Sequence, residues 1–315
     1  MNVAVQADPH GIHVIDTGFV RARFDAAYLV AERGRGAFID TGTSFSLPRL
    51  LGAIGTAGLT REAIDYVIVT HVHLDHAGGA GVLMRELPNA RLVAHARGAR
   101  HMIDPSALLD GARGVYGDEE VARSYGEVPG VPAERVISTS DGLTLELAGR
   151  PLLFIDTPGH ARHHHCIWDA ASRSWFSGDT FGMSYPEFDT DGRQWPLPTT
   201  TPVQFEPAAL RASIERLLSS QPQQVYVTHF GKVREPRRIA DELLLQIDAM
   251  VAIALRLRDA RERQPQMKRE FAALYRERVR AHGCTLSDAR VDGLLALDVE
   301  LNARGVAIWL DKEPR

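Results

Sequence analysis

The segment at residues 70–79, THVHLDHAGG, concentrates side chains that bind metal ions. His71, His73, Asp75 and His76 supply imidazole nitrogens and a carboxylate oxygen, which suit Zn²⁺ and are also accepted by iron and manganese. Residues two apart in an extended chain point to the same side, so His71 and His73 can face one ion. Surface or helix-capping histidines are the alternative interpretation, which a lone histidine would favour. Three histidines and an aspartate at this spacing instead indicate part of a metal site.

Three predicted strands further along the chain each lead into another side chain that can bind a metal. His160 follows LLFIDTPG, Asp179 follows SWFSG and His229 follows QVYVT. Each of these alone is typical of an ordinary turn. With the first motif they make five imidazoles and two carboxylates, which is too many for one tetrahedral ion and suits two ions. We expect three histidines on one ion, two histidines with Asp75 on the other, and Asp179 as the bridge.

Two divalent ions at such a site would favour hydrolysis. They lower the pKa of a bridging water and hold it as hydroxide at neutral pH, while one ion polarises a carbonyl or phosphoryl oxygen. The metals then stabilise the oxyanion and the leaving oxygen. No serine or cysteine nucleophile is needed, and Asp75 could orient the hydroxide or carry a proton to the leaving group. The residues therefore predict hydrolysis by a metal-bridging hydroxide, with Zn²⁺ as the expected metal and iron or manganese as alternatives.

Short strands that alternate with helices are expected to position these residues. The apolar run AIDYVIVT predicts a buried strand that ends at Thr70, directly before the motif, and AGGAGVLMREL predicts a helix directly after it. Residues 104–130 are polar and contain glycine and proline, which predicts an irregular excursion. Residues 186–202 hold four prolines without periodicity, which predicts a long loop of the kind that is often functional.

The pattern changes after about residue 235, where helical periodicity dominates. Three helices are predicted there, and VAIWL at 306–310 could form a short terminal strand. We therefore predict a catalytic domain over residues 1–235 and a helical extension over residues 236–315. The apolar stretch LLLQIDAMVAIAL must be buried on the chain itself or on a partner, which makes a homodimer possible.

Taken together, the motifs resemble those of the metallo-β-lactamase-fold superfamily. The matching elements are H-x-H-x-D-H at 71–76 with its trailing Gly-Gly, the histidine of TPGH, the aspartate of SGDT and the histidine of THF. FIDTGTS at 38–44 is similar to the family's early strand-turn element, in which Asp40 would support the ligands from behind. The resemblance covers about residues 10–232. It implies an α/β fold, a four-layer αββα sandwich with the metals at one edge between the ends of the sheets.

The resemblance also implies an assignment of the ligands. It places three residues on the first ion, three on the second and one as the bridge, in the order His71, His73 and His160, then Asp75, His76 and His229, then Asp179. This agrees with the grouping that the residues alone suggest.

Two further groups of residues are candidates for supporting roles. Related lactonases use a tyrosine to donate to a carbonyl oxygen, and Tyr185 is the candidate here, although its spacing from Asp179 differs from the lactonase pattern. His163, His164 and His165 follow soon after His160. Alternation along a strand would place His163 and His165 on one side and His164 on the other. Support of the metal site and plain packing are both open for these three histidines.

The resemblance points to a hydrolase for a small ester, lactone or thioester, as in the glyoxalase II and lactonase-like branches. Flavodiiron oxygen reductases usually carry glutamate where this chain has His73, which argues for hydrolysis over oxygen reduction. An iron-containing enzyme that handles persulfide or oxygen is the alternative among enzymes. A metal-bound binding or sensor protein without turnover is the alternative outside them.

Composition excludes several other classes. The 315 residues are 44% hydrophobic and 24% charged with a net charge of −4, which is ordinary globular composition without a strong field for nucleic acid or anionic membrane. Nine basic residues at 256–282 interleave with four acidic ones, which favours a solvated helix face. No apolar run reaches 18 residues, no signal peptide is recognised, and two distant cysteines make no disulfide framework. We expect a cytoplasmic protein that binds a small-molecule substrate and neither nucleic acid nor membrane.

Overall fold

The computed structural model describes residues 5–200 and 203–313, which build two β-sheets and ten α-helices. The first sheet has seven strands that lie side by side in chain order. They are Val5–Asp8 (β1), Ile12–Asp16 (β2), Ala26–Glu32 (β3), Arg35–Ile39 (β4), Ile64–Ile68 (β5), Arg91–His95 (β6) and Val136–Thr139 (β7). Strands β1 to β4 pair antiparallel and β4 to β7 pair parallel. The sheet is therefore mixed.

The second sheet has six strands in the spatial order β13-β12-β11-β10-β9-β8. They are Thr144–Leu147 (β8), Arg150–Asp156 (β9), His165–Asp169 (β10), Ser174–Gly178 (β11), Gln224–Val227 (β12) and Gly231–Arg234 (β13). Strands β8 to β11 pair antiparallel. The predicted strand runs in LLFIDTPG, SWFSG and QVYVT correspond to β9, β11 and β12.

Alternation along β3 shows why the first sheet is buried on both faces. Tyr28 and Val30 belong to a core cluster that also contains Phe154 and Phe176 of the second sheet. The intervening Leu29 belongs to a separate cluster on the opposite face. Because successive side chains of a strand point to opposite faces, a strand covered on both faces needs apolar residues at every position. The run AAYLVA provides them.

Most of the helices connect strands, and the last three follow one another at the C-terminal end of the chain. They are Leu47–Thr56 (α1), Leu74–Ala77 (α2), Ala80–Glu86 (α3), Ala96–Ile103 (α4), Ser106–Tyr116 (α5), Asp118–Tyr125 (α6), Pro207–Ser219 (α7), Pro236–Arg256 (α8), Arg263–Ala281 (α9) and Asp288–Lys312 (α10). Buried residues of α1, α3 and α4 pack against the outer face of the first sheet. The two sheets, their helices and the final helices α8–α10 confirm the predicted αββα class with a C-terminal helical extension.

From residue 236 the described chain is mainly helical and contains α8, α9 and α10. Ser287 caps α10 and accepts a hydrogen bond from the backbone amide of Arg290. In α8, Leu243, Ile247 and Met250 of the apolar stretch are buried. Leu245 of the same stretch is 44% exposed. The possible homodimer therefore stays a prediction.

Two local predictions were wrong. Residues 104–130 contain α5 and α6 in place of an irregular excursion, because glycines inside and between these short helices obscured their periodicity: Gly117 separates them with a φ of 85°. VAIWL is the end of α10, not a strand. Val306, Trp309 and Leu310 are buried at the i, i+3, i+4 spacing of a helix. Residues 186–200 contain a short 3₁₀ turn and isolated β-bridges but no α-helix or strand of a sheet, as expected of a loop. The last two residues of the predicted loop lie outside the described residues.

By its internal contacts the chain divides into two compact units. One contains residues up to 156, 163–178 and 225–232, and the other contains residues 157–162, 179–224 and those from 233 onward. The predicted boundary at residue 235 stays a prediction. Among the helices in the described ranges, none has the length and apolar character needed to cross a membrane.

Candidate metal centre

The opening motif lies where the sequence placed it, between β5 and α3. His71 and His73 occupy the loop after β5, and His73 is the N-cap of the one-turn helix α2. His71 Nε2 and His73 Nδ1 are 2.6 Å apart. Both side chains therefore direct a ring nitrogen at one point, which is the arrangement expected of two imidazoles that share an ion.

A second group of candidate ligands forms around the carboxylate of Asp75. Its Oδ2 atom lies 3.9 Å from His76 Nε2 and 3.5 Å from His229 Nε2. The potential ligand atoms of these three residues all lie within 4.8 Å of one another. His76 and His229 are buried, while the Asp75 side chain is 27% exposed. The three residues predicted for the second ion therefore occur together.

The first group contains His160 and Asp179 besides His71 and His73. His160 Nε2 and Asp179 Oδ2 are 3.3 Å apart. The potential ligand atoms of all four residues lie within 4.8 Å of one another. Asp179 is thus grouped with the three histidines predicted for the first ion, and its role as a bridge stays a prediction.

The hydrogen bonds of three histidines show that the donor set fits metal binding. The Nδ1–H groups donate to oxygen atoms: His76 to Asp40 Oδ2 at 2.8 Å, His229 to the Phe24 carbonyl at 3.2 Å, and His160 to the Thr199 carbonyl at 3.3 Å. A ring that donates from Nδ1 keeps the lone pair of Nε2 for a metal, and such a partner is typical of metal-binding histidines. Buried imidazole and carboxylate groups in these two clusters are therefore suited to divalent ions such as Zn²⁺.

Asp40 supports the centre from behind His76, as the strand-turn motif implied. Its buried carboxylate accepts hydrogen bonds from the backbone amide of Thr70 at 2.8 Å and from the hydroxyl of Thr228 at 2.8 Å. The residue has a left-handed φ of 55°, a conformation that aspartate tolerates better than most residues. The Asp40 carboxylate thereby connects the ends of β4, β5 and β12. The ligand motif at 71–76 directly follows β5.

Asp25 is a further acidic residue near the centre that the sequence interpretation missed. It is fully buried just before β3, and the Thr17 hydroxyl donates to its Oδ2 atom at 2.9 Å. Burial raises the pKa of Asp25 to about 8, and His229 and His76 oppose this shift. The one sequence feature that could have indicated Asp25 is its position directly before the apolar strand AAYLVA. The ligand pattern concerns only residues that follow strands, so it does not point to Asp25.

Of the three histidines at 163–165, His163 and His164 lie beside candidate metal ligands and His165 lies in the core. The ring of His164 stacks on that of His71 with a centroid distance of 4.8 Å, and the ring of His163 lies 5.6 Å from that of His73. His165 is different, because its nitrogens bond the Thr139 hydroxyl at 2.7 Å and the Val69 carbonyl at 2.9 Å. Burial lowers the pKa of His165 to about 3, with a smaller contribution from His95. His165 is therefore a neutral core residue at physiological pH.

Tyr185 is fully buried, and its hydroxyl donates to Asp298 Oδ1 of α10 at 3.1 Å. The structure thus places the phenol against the helical extension. Its predicted role as a donor to a substrate carbonyl stays a prediction.

A cavity of about 620 Å³ is lined by Phe19, whose ring lies near that of Phe24. Its lining residues come from the loop after β2, the segment before α1, α1 itself and α6: Thr17, Gly18, Phe19, Val20, Thr43, Phe45, Arg49, Glu120, Arg123 and Ser124. The ring of Phe19 is 6.1 Å from that of Phe24, and the ring of Phe24 is 5.3 Å from that of His229. One aromatic side chain therefore separates the cavity wall from a candidate metal ligand.

Comparisons with known proteins agree with this geometry. Metallo-beta-lactamase fold-containing protein ST1585 of Sulfurisphaera tokodaii is 25% identical over 242 residues, which are 75% of this chain and 84% of that protein. Acyl-coenzyme A thioesterase MBLAC2 of Gallus gallus is 30% identical over 168 residues, which are 48% of this chain and 56% of that protein. The second similarity spans about half of each protein.

Solved structures show the same fold. The crystal structure of ST1585 from Sulfolobus tokodaii superposes with a TM-score of 0.65 at 22% identity and covers 95% of this chain and 99% of that one. The metallo-beta-lactamase family protein TTHA1429 from Thermus thermophilus superposes with a TM-score of 0.66 at 21% identity, over 95% and 91% of the two chains. Residues 20–229, which include all seven candidate ligands, match the sequence profile of the Metallo-beta-lactamase superfamily. The chain therefore belongs to the metallo-beta-lactamase superfamily.

Proposed function

We propose that this protein is a metal-dependent hydrolase that uses two divalent ions, most readily Zn²⁺, to cleave a small ester or thioester. The observation that carries the proposal is the joint presence of two ligand groups, in which donor atoms lie within 4.8 Å of one another. The oxygen partners on three of the histidines support it, because they leave Nε2 for the metal. Bound at these positions, the ions would supply a nucleophilic hydroxide at neutral pH and polarise the substrate carbonyl.

Asp75 is the residue that we expect to move a proton. Its Oδ2 atom faces His229 Nε2 at 3.5 Å, and the side chain is 27% exposed. A partly exposed carboxylate beside the reacting atoms can orient the attacking group and deliver a proton to the leaving group. Asp75→Asn keeps the size of the side chain and removes this capacity. Full turnover by Asp75→Asn with both metals retained would refute the role.

The cavity near Phe24 supports a substrate with an apolar acyl chain and a negative group. Val20 and Phe45 line it although they are 63% and 60% exposed, and such exposed apolar side chains favour an apolar ligand. Arg49 also lines the cavity, and guanidinium groups bind carboxylates and phosphates. The second lining arginine, Arg123, is paired with the carboxylate of Glu120. Arg49 is held in place by donation to the Asp16 carbonyl at 3.0 Å. This combination favours a thioester such as an acyl-coenzyme A over a neutral lactone, in line with the name of the relative MBLAC2.

The test combines metal analysis with a panel of substrates. The protein as purified should contain about two metal ions per chain, and it should hydrolyse acyl-coenzyme A thioesters faster than neutral thioesters, lactones and phosphodiesters. His71→Ala should lower kcat/KM by at least about 100-fold, because even residues that only support metal ligands contribute 10–100-fold. His101→Ala on α4, outside both ligand groups, serves as the matched control and should retain activity.

Two results would contradict the proposal. Bound iron with an absorbing centre and no hydrolysis across the panel would indicate the persulfide- or oxygen-handling alternative. Bound metal without any turnover would indicate a binding or sensor protein.

A further inference from the structure

The loop at 186–200 is held by buried polar side chains of the C-terminal helices. Gln246 of α8 donates from Nε2 to the Pro196 carbonyl at 2.8 Å. Asn302 of α10 donates from Nδ2 to the Pro198 carbonyl at 2.9 Å. Both amide side chains are buried, so each replaces hydrogen bonds that the loop backbone would otherwise make to water. The helices thus determine the path of this proline-containing segment.

The side-chain amide of Asn302 forms hydrogen bonds to both residues that flank Thr199. Besides the bond to Pro198, its Oδ1 atom accepts from the backbone amide of Thr200 at 2.9 Å. Its Nδ2 group also donates to the Tyr275 hydroxyl of α9 at 2.9 Å, which orients the amide. Thr199 is therefore held from both sides by one side chain that is itself fixed between two helices.

Thr199 in turn contacts a candidate metal ligand. Its carbonyl oxygen accepts from His160 Nδ1 at 3.3 Å, and His160 Nε2 lies 3.3 Å from Asp179 Oδ2. The position of the Thr199 carbonyl consequently sets the rotation of the His160 ring and the tautomer that presents Nε2 to an ion.

Gly305, one helical turn beyond Asn302, provides the second observation. A Cβ atom at this position would lie 2.4 Å from the Thr200 hydroxyl and 3.1 Å from its carbonyl oxygen. Glycine inside a helix lowers helix stability relative to alanine. Its presence in α10 is explained by the close approach of the loop, because any side chain would displace Thr200.

We propose that Asn302 is a positioning residue that orients the metal ligand His160 through the backbone of residues 198–200. The inference rests on the proposed metal centre and gives the C-terminal extension a role in it. It does not require hydrolysis of any particular substrate.

The test measures metal affinity in a double-mutant cycle on the full-length protein. In Asn302→Leu, the Kd for one of the two Zn²⁺ ions should be roughly 10–100-fold higher than in the wild type. This is the usual effect of losing a residue that supports a metal ligand. In a His160→Ala background the same substitution should have no further effect. In a His229→Ala background, which removes a ligand of the other group, the full effect should remain.

Asp298→Asn provides the matched control. It lies one turn earlier on α10, is also buried, and contacts Tyr185. This variant should retain wild-type metal affinity. Asn302→Asp keeps the acceptor for Thr200 and replaces the donor for Pro198, so it should give an intermediate loss. If Asn302→Leu does not fold, Asn302→Asp and Gly305→Ala are measured in the same cycle.

The outcomes separate this inference from the proposed function. Folded Asn302 variants with wild-type affinity for both ions would overturn the inference, as would an equal further loss in the His160→Ala background. Loss confined to one ion and dependent on His160 would establish it. That result would stand even if the wild-type protein hydrolysed no ester or thioester, which would refute only the proposed function.

Discussion

At the scale of single residues, two buried aspartates near the centre have different chemistry. Asp40 accepts hydrogen bonds from Thr70, His76 and Thr228, so both of its carboxylate oxygens have donors. Asp25 is fully buried and accepts from Thr17, and burial raises its pKa to about 8. The two buried carboxylates therefore differ in their hydrogen-bond donors, and Asp25 holds a proton at neutral pH.

The raised pKa of Asp25 predicts a pH-dependent stability of the metal-free protein. A folded pKa of about 8 lies above the ordinary value of 3.8, so the folded state binds the proton more tightly than the unfolded state does. The contribution of Asp25 to stability is fully present below about pH 4 and is lost as the pH rises through 8. Urea unfolding with a chelator present should show this loss in the wild type, and Asp25→Asn should remove it. Asp110→Asn, an exposed change on α5, should leave the pH profile unaltered. An unchanged profile in Asp25→Asn would contradict the assignment.

At the scale of elements, the end of β11 shows how a strand delivers a ligand. Gly178 ends the strand directly before Asp179 and has a left-handed φ of 49°. A Cβ atom there would lie 2.6 Å from both His164 Nε2 and the Thr70 hydroxyl. The glycine therefore permits both the turn and the close packing of His164 against the centre. In the sequence the Gly-Asp pair is typical of an ordinary turn, and only the packing shows why glycine is needed.

A pair of glycine substitutions separates these two effects. Gly34 also has a left-handed φ, 77°, but a Cβ atom there would meet no heavy atom of the described chain within 4 Å. Gly34→Ala should lower the free energy of unfolding by about 1–2 kcal/mol, the conformational cost alone. Gly178→Ala should cost about 1–3 kcal/mol more because of overpacking, and it should also weaken metal binding. Chemical denaturation and metal titration check both variants. Equal stabilities of the two would show that the packing at Gly178 is not limiting.

At the scale of the whole molecule, a buried ion pair ties together residues from both sheets. Arg150 of β9 donates from Nε to Asp169 Oδ1 at 2.9 Å and from Nη1 to the His10 carbonyl at 2.6 Å. It also lies 3.5 Å from Glu32 at the end of β3. These groups form a polar clamp between the two sheets. None of them belongs to the two candidate ligand groups.

Breaking the clamp should affect stability without affecting the metal centre. Arg150→Met leaves the buried Asp169 carboxylate without its cation and should cost about 3–5 kcal/mol. Combining it with Asp169→Leu should recover most of that loss, because an apolar pair needs no charge compensation. Thermal unfolding measures both effects, and metal titration should give wild-type affinities for every variant that folds. Loss of metal by the double variant would contradict this independence.

The amino-acid sequence by itself determined the seven candidate ligands and the class of fold. These follow from local patterns: the spacing of His71, His73, Asp75 and His76, and the apolar runs that lead to each later ligand. The residues of α5 and α6 were misinterpreted because their glycines weaken the same local signal. Periodicity depends on near neighbours, so it can be read without knowledge of the remaining chain.

The resemblance predicted a supporting role for Asp40, but only the tertiary structure decided which distant residues hold Asp40 and His160 in place. Asn302 and Pro198 are 104 positions apart, and Thr228 and Asp40 are 188 apart. No local pattern encodes such contacts, because they arise when distant segments pack together and each buried polar group must find a partner. The burial of Asp25 and the link from α10 to His160 belong to this second kind of information.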